Sequence, residues 1–501
     1  MQALATIDRH ELQQITAATI TQPEYALLIN GQWQTASNGA SFAIHNPATG
    51  SALATVPDAG AAETRAAIDA AYAALPAWSA LPAGQRSEKL RRVAALMIER
   101  RERLATVMTL EQGKPLSEAR GEISYAASFL TWFAGEAERV YGQIVPASAP
   151  NKRILVMRQP VGVVAMITPW NFPAAMLTRK LGPALAAGCT VICKPAEQTP
   201  LSALELGYLF QEAGFSAGVV NIITCQNPVP FSDTIFADER VRKVSFTGST
   251  EVGQVLIGKS AATVKRLSLE LGGNAPFIVF DDADLPAAVQ GAIASKFRNA
   301  GQTCVCANRL YVQAGIYDRF VAAFTEAVAA LKVGNGLATT TTVGPLIDLN
   351  ARAKVEKHIA DATAHGAQVL LGGQPWASDE NEAGTFWQPT ILGAVPVGAL
   401  IMQEETFGPV APLIRFETEE EVIGYANDTV YGLAAYFYTR DASRLFRVAE
   451  RLEYGIVGAN DGLPSTAQAP FGGVKHSGLG REGGPNGIDE YLDVKYISVG
   501  L

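Results

Sequence analysis

The sequence predicts an α/β fold with two domains, each built on a parallel sheet. Two observations carry this. Across residues 161–269, short apolar runs alternate strictly with helical stretches, and after the pair Gly272-Gly273 a second alternating block begins. Continuous apolar strands alternating with helices belong to a parallel sheet covered on both faces. Such sheets bind ligands at the carboxyl ends of their strands.

In chain order, residues 7–20 suit a loose amphipathic helix. Residues 26–33, ALLINGQW, read as two short strands about the turn Asn30-Gly31. Residues 60–140 are helical in pattern: 63–75, 85–104 and 116–140 carry Ala, Leu, Glu and Arg at helical spacing. Polar turns and a β-like piece at 153–157 follow. The first alternating block is strand 161–167, helix 174–187, strand 190–193, helix 201–213, strand 219–223, a short helix near 231–236, strand 243–246, helix 251–260 and strand 264–269. The second has strand 275–279, helix 285–297, strand 309–312, helices 317–331 and 354–365, strand 368–371, and a strand then a helix within 416–426.

Composition narrows the function. Apolar residues make up 48% of the 501 and charged residues 18%, as in an ordinary globular chain with a large core. The net charge is -8 with no basic cluster, which argues against nucleic acid. No stretch has the ~18 uninterrupted apolar residues of a membrane span, and the N-terminus lacks a secretory pattern. The five cysteines are an odd number without framework spacing, and no histidine lies near a cysteine pair. A reducing cytoplasm and no metal site are therefore expected.

Five stretches carry chemistry. In KFRNAGQTCVCANR (296–309), Cys304 lies among small and polar residues that let a substrate approach the sulfur. A thiolate there would be a strong nucleophile, although on local sequence an inert buried thiol stays equally open. Strand 161–167 ends in Thr168-Pro169-Trp170-Asn171-Phe172-Pro173, where Asn171 offers either an oxyanion donor or a turn bond to its own backbone. Lys194 and Glu197 follow the next strand and could grip ribose hydroxyls or form a solvated pair. Thr247-Gly248-Ser249 opens a helix, where anions bind. Glu270, between Leu269 and Leu271, is an acid in apolar surroundings and suits a general base.

TPWNFP, KPAEQTP, FTGSTEVG, LELGGN, GQTC, EETFGP and PFGGVKHSGLGRE occur in that order. Together they identify the chain, from about residue 24 to its end, as resembling the NAD(P)-dependent aldehyde dehydrogenase superfamily. FRNAGQTCVCANR and NFPAAMLTRK resemble its succinate-semialdehyde dehydrogenases. The resemblance implies two Rossmann-like domains plus a small β oligomerisation arm. The cofactor domain would be 1–145 and 160–271, the catalytic domain 272–486, and the arm 146–159 and 487–501, giving a homodimer or homotetramer. It makes Cys304 the nucleophile, Glu270 the base and Asn171, with the Cys304 N–H, the oxyanion holder. It makes Ile167, Thr168, Trp170, Lys194, Glu197, Gly248, Ser249, Leu271, Glu405 and Phe407 cofactor contacts. Arg179, Arg298 and Ser465 would hold a substrate carboxylate.

The expected reaction is oxidation of a short semialdehyde, succinic first and glutarate second, through a thiohemiacetal and a thioester. NAD is expected over NADP because Glu197 would repel a 2′-phosphate, with Lys194 as the counter-argument. A CoA-acylating dehydrogenase needs no general base, and a non-catalytic member needs neither Cys304 nor Glu270. Two departures stand out. The family often has glycines where this chain has 225–230, CQNPVP, and the substrate loop 460–465 carries Asp461 and Pro464.

Overall fold

The computed structural model describes residues 7–21, 24–377 and 383–501. An eight-stranded sheet runs, edge to edge, Gly478–Leu479, Arg266–Glu270, Val241–Thr247, Val163–Ile167, Thr190–Lys194, Val220–Ile222, Leu27–Ile29 and Gln32–Gln34. The strands from Arg266–Glu270 to Val220–Ile222 are parallel, as their continuous burial predicts. The edges are capped antiparallel by the hairpin about Asn30-Gly31 and by Gly478–Leu479.

Val163–Ile167 comes first in the parallel set and lies in its middle. The chain then builds outward on one side through Thr190–Lys194 and on the other through Val241–Thr247. That reversal of strand order opens a crevice beyond the carboxyl ends of Val163–Ile167 and Val241–Thr247. The segments entering it are 168–174 and 247–249.

A seven-stranded sheet follows, in the order Gln368–Leu371, Thr390–Gly393, Val410–Phe416, Ala307–Gln313, Ala275–Val279, Ala434–Tyr438 and Ile456–Ala459. All its pairings are parallel except the first. Cys304 precedes Ala307–Gln313, so it lies at an amino end of this sheet, whereas the ligand rule for parallel sheets points to carboxyl ends. A separate antiparallel sheet joins Leu492–Gly500, Lys152–Pro160 and Gln143–Val145.

Helix Arg9–Thr19 starts on a reciprocal cap between Asp8 and Glu11. The helix expected over 85–104 is two helices, Ala83–Glu99 and Arg101–Gln112. Arg100, at φ −101° and ψ 18°, breaks it. Local propensity is continuous there, so packing imposes the break: every residue from Leu104 to Gln112 is buried, against the helices Leu116–Ala137 and Leu201–Glu212. The hairpin Ser41–His45 with Ala52–Pro57, and the strands Thr390–Gly393, Ala434–Tyr438 and Ile456–Ala459, were not among the strands expected from sequence. Asn46 turns that hairpin by accepting the N–H of Ala48 on its side chain and that of Gly50 on its carbonyl.

Candidate active site

The segment 168–174 is held from outside. Lys114 Nζ donates to the Asn171 carbonyl at 2.7 Å and is ion-paired to Glu122 at 2.5 Å. Glu122 in turn accepts the N–H groups of Ala174 and Ala175. The Asn171 side chain is buried, and its Nδ2 donates to the Gln302 carbonyl at 3.0 Å. An amide nitrogen has a second N–H, so one donor is left over beside the cysteine turn.

That turn is strained. Asn299 and Ala300 have φ of 52° and 54°, and Gly301 follows at 74°. Left-handed conformations at non-glycine residues persist only where the surroundings impose them. Here Glu118 accepts the Asn299 N–H at 2.9 Å, and Gln112 donates to the Asn299 side chain at 3.0 Å. Asn299 donates to the carbonyls of Asn171 and Gln302, and the Gln302 side chain accepts the Ile347 N–H at 2.9 Å. Cys304 emerges from this frame partly exposed. Cys306 is buried, with its sulfur 3.3 Å from Lys296 Nζ.

Cys304 lines two cavities. One, of about 360 Å³, is bounded by Trp170, Asn171, Thr247, Gly248, Ser249, Leu271, Lys354, Glu405 and Phe407. The other, of about 350 Å³, is bounded by Glu118, Tyr125, Phe172, Met176, Arg179, Arg298, Leu463, Ser465 and Phe471. Burial pushes the Cys304 thiol up to about 12, although Arg179 opposes the shift. The sulfur is therefore a thiol at neutral pH unless a base takes its proton.

Glu270 ends the strand Arg266–Glu270, is 3% exposed, and its Oε2 has no hydrogen-bond partner. Burial, and then the charge of Glu482, hold its carboxyl well above the ordinary range. Glu482 is itself buried, but the cations of Lys180 and Arg179 outweigh its desolvation and hold its carboxyl low. Two carboxylates in one buried cluster are thus pushed apart, Glu270 toward the protonated form, so that it must ionise before it can act as a base, and Glu482 toward the charged form.

The residues expected from sequence divide into three groups. Trp170, Asn171, Gly248, Ser249, Leu271, Glu405 and Phe407 share the first cavity, and Trp170 packs edge-on to Phe407 with centroids 5.5 Å apart. Arg179, Arg298 and Ser465 share the second. Ile167, Thr168, Lys194, Glu197 and Glu270 line neither; they lie at neighbouring strand ends, where Lys194 Nζ is 3.1 Å from Glu197. The first cavity suits a dinucleotide. Thr247 presents a buried hydroxyl without a partner, and the helix Thr250–Ser260 starts there on a Ser249 cap.

Both sequence departures have local explanations. Asn227 caps the helix Pro228–Ala237, with a proline in its first turn, so the glycine-free 225–230 is a helix start. Asp461 is exposed and accepts the Leu463 N–H at 2.8 Å, which turns the loop while Leu463 and Ser465 face the second cavity.

Glu118 and Tyr125 are lining residues that the sequence reading missed. Their signal was helical: 118, 121, 122 and 125 fall on one face of Leu116–Ala137. Lys354, on the helix Leu349–Ala364, was missed as well.

The aldehyde dehydrogenase family model matches residues 33–497. The chain belongs to the aldehyde dehydrogenase family. It is similar to the succinate-semialdehyde dehydrogenase [NADP(+)] of Escherichia coli, at 59% identity over 95% of this chain and 97% of that one. It is 58% identical to a glutarate-semialdehyde dehydrogenase of Pseudomonas aeruginosa, over 94% and 97% of the two chains. A crystal structure of an NADP-dependent enzyme from E. coli superposes with a TM-score of 0.94 at 58% identity, covering 95% of this chain and 98% of that one. The two large sheets of this aldehyde dehydrogenase are largely parallel. Among the described residues no helix is long and apolar enough to cross a membrane, and no cluster of three metal-ligating side chains occurs.

Proposed function

We propose that this aldehyde dehydrogenase oxidises a short semialdehyde bearing a distal carboxylate, with succinic semialdehyde preferred. The observation that carries the reading is the meeting of two cavities at Cys304, one shaped for a dinucleotide and the other lined by Arg179 and Arg298. Two guanidinium groups in one partly buried chamber take a carboxylate through charge-assisted hydrogen bonds. A four-carbon chain held there places its aldehyde at the sulfur. Glutarate semialdehyde, one carbon longer, is the second reading, supported by the relative of that name.

The sulfur of Cys304 adds to the aldehyde carbon, and Glu270, the buried carboxylate whose field reaches the thiol, takes its proton. The oxyanion is held by the free Asn171 N–H and the Cys304 backbone N–H. What a bound nicotinamide dinucleotide supplies is a hydride acceptor for the carbon attached to Cys304. Glu270 passes the first proton to solvent and, ionised again, removes a proton from water as that water attacks the resulting thioester on Cys304, returning it to the sulfur as the thioester bond breaks. The acid product leaves and the thiol is restored.

The adenosine ribose falls to Lys194 and Glu197. Their ion pair occupies the lysine charge, which supports NAD over NADP, although the E. coli relative is named for NADP(+). The domain partition 1–145 with 160–271, 272–486, and 146–159 with 487–501 belongs to the same reading. Strand Leu492–Gly500 leaves Val494 and Tyr496 exposed on a free edge, which supports a homodimer or homotetramer. Five free thiols support a cytoplasmic location.

The test is absorbance of reduced cofactor with NAD or NADP, no CoA, and a panel of succinic semialdehyde, glutarate semialdehyde and butanal. Carboxylate-bearing aldehydes should be the better substrates. Turnover that required CoA, or that favoured butanal, would defeat the proposal.

A further inference from the structure

His358 takes no part in the steps above, yet it is wholly buried and engaged through both ring nitrogens. Its Nε2 is 3.2 Å from a Glu404 carboxylate oxygen, and its Nδ1 is 3.2 Å from Thr406 Oγ1. A carboxylate only accepts, so Nε2 carries the proton and Nδ1 accepts from the threonine hydroxyl. This is the neutral ring, and burial favours it.

The two residues so held flank Glu405. Its carboxylate accepts the Gly273 N–H at 3.1 Å and faces the dinucleotide cavity. The residue after Thr406 is Phe407, whose φ of 55° is strained for a bulky side chain. Such a conformation persists only if its neighbours are fixed, and among the described residues no other side chain hydrogen-bonds both Glu404 and Thr406. The helix that carries His358, Leu349–Ala364, also brings Lys354 to the cavity one turn earlier. Helix and loop are therefore locked at one point, behind the residues that face the cofactor.

We propose that His358 is a positioning residue that clamps the 404–407 loop in the conformation that binds the dinucleotide. The inference rests on the reading of Glu405 and Phe407 as cofactor contacts. Without the clamp the loop relaxes toward an unstrained backbone, and bound cofactor must then restore the strain. The loss falls on cofactor affinity and spares the chemistry at Cys304, which stands on a different frame.

The test is calorimetric titration of NAD into the parent and three variants, with thermal unfolding and steady-state kinetics alongside. His358→Phe keeps the volume and removes both hydrogen bonds. It should weaken NAD binding about tenfold, the sum of two ordinary hydrogen bonds, while the aldehyde KM and the single-turnover rate at saturating NAD stay within about twofold. His358→Gln, which can still donate to Glu404, should recover part of the affinity. NAD affinity in His358→Phe equal to that of the parent would overturn the clamp. So would a parallel fall in NAD affinity, aldehyde KM, turnover and unfolding midpoint that His358→Gln did not relieve. Glu405→Gln separates the two levels: NAD binding unchanged in that variant removes the loop as a cofactor contact and the inference with it, whereas parent-like binding in His358→Phe alone removes only the inference.

Discussion

Arg179 is ion-paired to Glu482 beneath the substrate chamber, both side chains almost wholly buried, with the guanidinium 4.1 Å from the centroid of the Phe471 ring. On its other side, Nη2 is 3.0 Å from the thioether of Met176, and the Tyr125 hydroxyl also engages the guanidinium. One edge of the guanidinium thus belongs to the acid–base cluster, and the other faces the chamber that Met176 and Tyr125 also line.

Removing one member of such a buried cluster strands the others. Glu482→Gln leaves Lys180 and Arg179 without their counter-ion, and breaking a buried pair this way costs about 3–5 kcal/mol. Chemical denaturation should show a loss of that order. The charge of Glu482 also raises the Glu270 carboxyl. Activity needs Glu270 ionised, so it rises with pH through that ionisation. In Glu482→Gln the acid limb of the turnover–pH profile should move to lower pH; a shift upward, or none, would contradict the assignment.

Glu270→Gln removes the base from both steps, so the first turnover should slow, and hydrolysis should slow more than hydride transfer. We expect a burst of reduced cofactor of about one per site, followed by a slow steady state, as when an acyl-enzyme accumulates. Rapid-mixing absorbance measures both phases. Steady turnover at the parent rate would remove Glu270 as the base.

The parallel strands and their helices were legible in the apolar period, and Cys304, Asn171, Glu270 and the 247–249 turn in the chemistry of motifs at strand ends and turns. What was not legible depends on packing between distant segments. The break at Arg100 has no local signal, and neither does the presence of Glu118 and Tyr125 in the chamber, since a helix face says only that it is covered, not by what. Trp170, Leu271, Glu405, Phe407, Arg179, Arg298 and Ser465 were placed by resemblance to other sequences; the pairing of Arg179 with Glu482, 303 residues away, was not foreseen.

Cofactor choice is expected to turn on Glu197, whose side chain is 37% exposed beside buried Lys194. Glu197→Ser removes the like charge and frees Lys194 for a 2′-phosphate. The ratio of kcat/KM with NADP to that with NAD should rise in the variant. A ratio unchanged from the parent would place the discrimination elsewhere.

The most direct test of the central claim is kcat/KM for succinic semialdehyde and for butanal, measured in the parent and in Arg298→Ala. Arg298 lines the chamber with Cys304 and stands 5.3 Å from the centroid of the Phe172 ring. One lost charge-assisted contact costs ~1.5–3 kcal/mol, or roughly ten- to a hundredfold. The account predicts that loss for succinic semialdehyde and a much smaller one for butanal. Equal losses on both would mean that Arg298 shapes the chamber without reading a carboxylate, and the substrate assignment would fall.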